Sequence, residues 1–435
     1  MTGADVVIAG GGLIGLGVAW RCVQRGLTVT VVDEGFAGEP DGGPVRPRGG
    51  ASFAAGGMLA PVSEASYGEE RLLGLCLDSL RRYPGFVAEL EAATGIDVGL
   101  RTDGTLQVGF DADDMAALDQ LHAFHKELGL PAQRLTPGEA RRLEPALTPR
   151  LRAAVHVPGD HSVDGRALHG ALLAAVAGAG ATLVPDRVTE LIVHHGRTVG
   201  LRCGTTTVSG DQVVLALGSR SAHLPGAPAL PVRPVGGQIL RLRMPVEVTR
   251  TGGAHAGTGR TASSTSASGD PGRPGDDAGP LRGTIRGLVR GRAVYLVPLR
   301  EDRGGADIPS VIVGATSEEK GYHSRVTAGG VFELLRDAIE VVPELAEAEL
   351  AETVVRFRPG TPDNAPILGP TEVAGLVAAT GHYRNGVLLT PVTADAIAAL
   401  VAGDGLPEVA RGFGPERFGA AVHSGASLVH SGGPR

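Results

Sequence analysis

The chain opens on a short apolar run, Val6-Val7-Ile8-Ala9, that ends in glycines. Leu13 to Arg25 then carries helix-compatible residues up to Gly26, a natural C-terminal stop, and Thr28 to Val32 is a second run rich in β-branched residues. The first 33 residues therefore read as a strand-helix-strand unit, which predicts a parallel sheet. Further along, the patterning predicts helices at 69–93, 111–128 and 164–179, and strands near 104–110, 181–193 and 212–217. Gln238 to Met244, Thr284 to Val289 and Ala293 to Val297 also read as strands.

Between the first two of these, residues 250–282 consist mostly of Gly, Ser, Thr, Ala, Pro and Asp, with Leu281 the one sizeable apolar residue. Such a window cannot bury enough surface to offset its ordering entropy, so a disordered insertion at a hairpin tip is expected. Residues 37–50 read as a Gly-, Pro- and Arg-rich loop, and 419–435 as a flexible tail.

At 435 residues the chain is long enough for two or three domains at roughly 150 residues each. Its 42% apolar and 20% charged residues place it among globular proteins, and a net charge of -7 argues against a polyanion-binding role. Neither nucleic acid nor a membrane is the expected partner. Cys22, Cys76 and Cys203 are far apart and form no CxxC pair, so buried free thiols are expected rather than a disulfide framework or a metal site. With no secretory pattern at the N-terminus, a cytoplasmic protein is expected.

Gly10-Gly11-Gly12-Leu13-Ile14-Gly15 fits G-x-G-x-x-G where a dinucleotide pyrophosphate needs it, after a strand and opening a helix. Gly10 allows the tight turn, Gly12 the close approach of backbone to phosphate, and Gly15 the packing of helix on strand. Asp33 ends the second strand, where an acidic side chain accepts ribose hydroxyls, which favours FAD or NAD over NADP. At the far end, Gly381-His382-Tyr383-Arg384-Asn385-Gly386-Val387-Leu388-Leu389 leads into a helical run. A helix N-terminus there offers partial positive charge to a flavin ring; on the other reading, Asn385 and Thr390 are caps of a surface helix.

These residues, with Ser52 to Leu59, Val213 to Gly218, Tyr295-Leu296-Val297-Pro298 and Arg358-Pro359-Gly360-Thr361, resemble the FAD-dependent D-amino acid oxidase superfamily, and within it the glycine oxidases of the thiamine thiazole pathway. The resemblance spans nearly the whole chain up to about residue 418. It implies an α/β fold, with a Rossmann-like FAD domain assembled from 1–85, 150–222 and 354–418. It also implies an antiparallel-sheet-rich substrate domain from 86–149 and 223–353.

For the cofactor, the resemblance implies that Leu13, Ile14, Asp33, Glu34, Ala51, Ser52, Gly56, Gly57 and Met58 line a non-covalent FAD beside Gly10, Gly12 and Gly15. Val188, Ala216 and Gly218 join them, and His382, Tyr383, Arg384, Asn385, Gly386, Val387 and Leu388 wrap the ring. Arg358, Arg384 and Tyr295 surround the substrate. The implied reaction is oxidative deamination of glycine through iminoacetate to glyoxylate and ammonia, with oxygen reduced to peroxide. A homo-oligomer and a thiazole synthase partner come with it.

A guanidinium presents a planar fork to a carboxylate, and Arg358 sits before Pro359, where the chain is pushed extended. Tyr295 adds a phenolic hydrogen bond or is a core tyrosine. Alignment of the substrate carbon suffices for its oxidation, so none of His161, His169 and His382 is expected to be catalytic. A second tyrosine common in the family a few residues before Tyr295 is missing, with Gly287 to Arg292 in its place. Sarcosine, D-alanine and D-proline therefore stay open as substrates. So do a non-catalytic FAD-binding subunit and an NAD-binding regulatory protein.

Overall fold

The computed structural model describes residues 3–37, 50–204, 206–245, 281–303 and 306–423. The loop expected between 38 and 49, the bulk of the expected 250–282 insertion and the expected tail beyond 423 lie outside the described residues.

Ala4–Ala9 is the central strand of an eight-stranded sheet, parallel to Val29–Val32 on one side and to Thr206–Leu215 on the other. Both faces of this strand are covered, which is why Val6 to Ala9 read as a continuous apolar run rather than an alternation. Thr182–Val184 extends the sheet beyond Val29–Val32, and Leu376–Thr380 and Ile367–Pro370 extend it beyond Thr206–Leu215. The expected strand at 181–193 is two strands, Thr182–Val184 and Val188–His194, because Pro185 cannot donate to a ladder. Val188–His194 pairs instead with Arg197–Cys203 in an antiparallel extension.

Helix Leu13–Gln24 covers the central strand and lies against helices Gly165–Gly178 and Thr390–Val401. Its Gly17 faces the last of these so closely that an added Cβ would stand 3.0 Å from Thr390 Cγ2. Helix Glu70–Thr94 completes this core with Leu72, Leu75, Phe86 and Leu90. It also reaches the loop before the last helix, since Tyr83 Oη donates to the Val387 carbonyl at 2.9 Å and Ser79 Oγ to that of Leu388 at 2.6 Å.

The second eight-stranded sheet runs in the order Glu349–Gly360, Arg233–Arg243, Ala306–Gly314, Arg292–Arg303, Thr284–Val289, Thr105–Gly109, Ala153–Val157, Gln133–Leu135. Its pairs are antiparallel except Thr284–Val289 against Thr105–Gly109. The expectation of a hairpin between Gln238–Met244 and Thr284–Val289 is corrected here, since two strands, Ala306–Gly314 and Arg292–Arg303, lie between them. Alternation identifies a strand without naming its partner. The true hairpin joins Thr284–Val289 to Arg292–Arg303 through Arg290 and Gly291, at φ 52° and 76°, the pair of positive values that a tight two-residue turn requires.

Ala153–Val157 and all of Glu349–Gly360 pair within this second sheet, and helix Glu70–Thr94 packs under the first. Sheet membership therefore runs across the boundaries expected at 85, 150 and 354. Cys22, Cys76 and Cys203 are buried free thiols. Among the described residues no helix is long and apolar enough to cross a membrane.

A small separate ribbon pairs Met58–Leu59 with His161–Ser162. Beside it Asp160 is fully buried and accepts the amides of Val62 and Ser63, each at 3.2 Å. Burial pushes its carboxyl up to about 6. A carboxyl with a raised folded-state pKa contributes stability below its unfolded value and loses it as pH rises through the folded one. The shift from 3.8 to about 6 corresponds to about 3 kcal/mol given up between about pH 4 and pH 6. Asp160→Asn is expected to flatten that part of the stability profile, and urea unfolding of both proteins at pH 4 and pH 7 checks it. A wild-type-minus-variant difference that does not change with pH refutes it.

Candidate active site

A single cavity of about 770 Å³ runs from the C-terminal end of the central strand to the face of the second sheet. At one end the turn Gly10-Gly11-Gly12 opens helix Leu13–Gln24. Gly10 has φ 110°, and a Cβ there would collide with the Ala216 carbonyl, while one at Gly15 would collide with that of Gly10. The peptides of Gly11 are held from both sides: its amide donates to Asp33 Oδ2 at 2.7 Å and its carbonyl accepts from His169 Nε2 at 2.7 Å. Asp33 Oδ1 accepts the Gly35 amide at 2.7 Å, so each carboxylate oxygen keeps one lone-pair direction for a ribose hydroxyl. The helix has no acidic residue in its first turn, which leaves the positive end of its dipole for a phosphate.

Gly10, Gly12, Leu13, Ile14, Asp33, Glu34, Ala51, Ser52, Gly56, Gly57, Met58, Val188, Ala216 and Gly218 all line this cavity, as do His382, Tyr383, Arg384, Gly386 and Val387. Gly15, Asn385 and Leu388 lie behind the wall: Gly15 packs under Gly10, and Asn385 and Leu388 are buried where the loop turns into the last helix. Space at the wall fits a long, flat ligand. Gly218 has nothing within 4 Å of an added Cβ, and Gly386 has only His382 Cβ at 3.8 Å. Glu34 pairs with Arg220 at 2.6 Å at the rim. His382 is fully buried, with Nε2 3.0 Å from Thr393 Oγ1, and burial holds its ring down at about 3, so it stays neutral at any working pH.

At the other end the second sheet supplies a row of side chains on one face. Strand parity and register put Arg358, Gly237, Gly314, Tyr295 and Arg286 on that face, on five successive strands. The Arg358 guanidinium lies over Gly237 and the Tyr295 ring over Gly314, at positions where any Cβ would collide with them. Both side chains therefore lie along the sheet face, near enough for the Arg358 charge to act on the Tyr295 phenol, and Arg358 donates Nη1 to the Thr316 carbonyl at 3.2 Å. Burial raises the Tyr295 phenol, with the Arg358 charge opposing it, so the hydroxyl is a neutral donor. Gly56, from the loop lining the other end, touches the same ring, with its Cβ position 2.8 Å from Tyr295 Cε2. Arg384 approaches from the opposite wall, 3.8 Å from Glu69 Oε2.

The cavity also holds residues that the sequence reading missed: Glu64, Arg220, Tyr322, Ser324, Arg356 and Phe357. Arg356 and Phe357 share the strand that carries Arg358, and the same-face alternation could have flagged Arg356. Tyr322 lies in a connection without any motif. Its hydroxyl donates to the Ser219 carbonyl at 2.8 Å and its ring stands edge-on to Phe357 at 5.1 Å. Two aromatic residues thus line the cavity from outside the strand segment where the family's second tyrosine is missing.

Comparison with known proteins agrees with this geometry. Residues 5–400 match the model of a family described as FAD dependent oxidoreductase. The chain is 33% identical over 404 residues to a glycine oxidase of Geobacillus kaustophilus, covering 91% of this chain and 92% of that one. It is 31% identical over 429 residues to the bifunctional protein ThiO/ThiG of Trichormus variabilis, covering 98% of this chain but 57% of the longer relative. The crystal structure of glycine oxidase from Geobacillus kaustophilus superposes with a TM-score of 0.78 at 30% identity, covering 96% of this chain and 99% of the other. The glycine-lined cradle, the free helix N-terminus and the length of the cavity fit FAD, and with residues 5–400 matched, the chain belongs to the family of FAD-dependent oxidoreductases.

Proposed function

We propose that this protein oxidises the carbon–nitrogen bond of glycine, yielding an imino acid that water converts to glyoxylate and ammonia while dioxygen becomes hydrogen peroxide. The carrying observation is the approach of the Arg358 guanidinium to the Tyr295 phenol over two glycines at the end of the cavity. A guanidinium fork and a phenolic donor converging on one point form a carboxylate site, and the position beside Gly56 directs that carboxylate toward the FAD end. FAD, when bound in the cavity, would supply the two-electron oxidation, with dioxygen as the final electron acceptor.

The chain's own residues bind and align. Arg358 and Tyr295 fix the carboxylate, which leaves the neighbouring carbon one direction to face. Arg384 on the opposite wall adds positive charge, held in place by Glu69. Tyr322 and Phe357 add aromatic rings to the lining of the cavity. Gly10, Gly12 and Leu13 hold the diphosphate and Asp33 the ribose, on the first sheet; the second sheet carries the substrate side. The names of the relatives support glycine as substrate, and the bifunctional ThiO/ThiG relative supports delivery of the product to thiazole synthesis by a thiazole synthase partner.

Anaerobic addition of glycine to the purified protein is expected to bleach the visible flavin band, and readmitted air to restore it with one peroxide per glycine consumed. A flavin band that glycine, sarcosine, D-alanine and D-proline all leave unchanged overturns the assignment.

A further inference from the structure

The row of side chains on the second sheet ends in a negative charge that the carboxylate site does not use. Arg286 lies directly opposite Tyr295 in register, and its Nη1 holds Glu64 Oε1 at 2.5 Å. Glu64 lines the cavity with its side chain 14% exposed, and among the described residues no protein donor meets its Oε2. That oxygen is open to the cavity and free to accept a hydrogen bond from a bound ligand.

The chain invests unusual support in this carboxylate. The segment just before it is pinned by three buried side chains from other parts of the fold. Asp160 accepts the Val62 and Ser63 amides, Gln107 Nε2 donates to the Ser63 carbonyl at 3.1 Å, and His125 Nε2 to that of Val62 at 2.9 Å. The Glu64 amide itself donates to Ala60 at 3.1 Å. A solvated surface ion pair needs no such mount, whereas a group that must meet a small ligand does.

We propose that Glu64 receives the amino group of the substrate, so that the site reads both ends of a small zwitterion: carboxylate at Arg358 and Tyr295, amine at Glu64. The proposal rests on the amine-oxidising function above and adds to it the residue that recognises the amine. Strand order sets the two charges on either side of Tyr295, and Arg358, Glu64 and Arg286 all act electrostatically on its phenol. An ammonium brings up to three donors, and Glu64 Oε2 accepts one. Arg286, already paired, keeps the carboxylate turned in one direction and balances its charge. A ligand with a carboxylate and no amine forgoes this contact and keeps only the one at Arg358 and Tyr295.

The test compares wild type and Glu64→Gln for the KM of glycine and for the inhibition constant of acetate, which carries the carboxylate alone. Loss of the charged acceptor is expected to raise the glycine KM by about tenfold to a hundredfold, and to leave acetate inhibition within about twofold. The visible flavin spectrum of the variant reports whether the cofactor site is intact. If Glu64→Gln does not retain flavin, Glu64→Asp is measured in the same way. It keeps the charge with a shorter reach and is expected to raise the glycine KM by about fivefold or more with unchanged acetate inhibition. Glycine and acetate shifting together, or neither shifting, overturns the proposal. A wild-type protein that glycine does not bleach overturns the function beneath it, a result that the acetate comparison does not produce.

Discussion

Arg358→Ala is expected to raise the KM for glycine by about two orders of magnitude while the flavin content of the purified protein stays near that of wild type. The guanidinium offers two parallel donors to a carboxylate, and losing a charge-assisted pair at a half-buried site costs on the order of 3 kcal/mol. The cost is specific to substrate because Arg358 lies on the second sheet, over Gly237, and its one backbone partner is the Thr316 carbonyl. No strand of the first sheet depends on it. Arg358→Lys is expected to recover only part of the loss, since an ammonium is a point charge and cannot present a planar fork beside Tyr295. Steady-state kinetics with glycine, beside the flavin-to-protein absorbance ratio, decides the matter. An unchanged KM removes Arg358 from the carboxylate site.

Gly15→Val is expected to yield protein that purifies without flavin. A Cβ at position 15 would collide with the Gly10 carbonyl, so helix Leu13–Gln24 must move away from the strand it covers. That movement carries the Gly12 and Leu13 amides out of line with the phosphates, and the helix dipole with them. The same displacement strains the Gly11 peptides that Asp33 and His169 hold. The helix also packs through Gly17 on Thr390–Val401, which begins just after the loop lining the other side of the cavity, so the disturbance reaches both walls. The visible flavin absorbance that remains with the protein after gel filtration checks it, and a variant with a full flavin complement refutes the role given to this glycine.

Much of the cofactor end was legible from residue order alone. A G-x-G-x-x-G turn, its strand, its helix and its acidic residue are contiguous, so local rules of backbone freedom and periodicity place them together in the folded chain as they stand in the sequence. The helices Glu70–Thr94, Ala112–Glu127 and Gly165–Gly178 fell where their apolar periodicity predicts them. Arg358 and Tyr295 were visible through motifs that carry a family resemblance, not through any local pattern that would bring residues 63 positions apart close together.

The tertiary structure decided the rest, for one physical reason: side-chain alternation tells which face of a strand is covered but not which strand lies beside it. Strand order put Ala306–Gly314 and Arg292–Arg303 between two strands that the sequence pattern would join in a hairpin. That same order laid Arg358 over Gly237 and Tyr295 over Gly314, so that the charge of one acts on the phenol of the other. It also brought Glu64 to Arg286, across 222 positions of chain, and Tyr322 to Ser219, across 103. The sequence by itself determined a dinucleotide-binding strand-helix-strand unit, because its parts are neighbours in the chain. The substrate end exists only once long-range pairing has chosen the neighbours, because no short window of sequence contains the site.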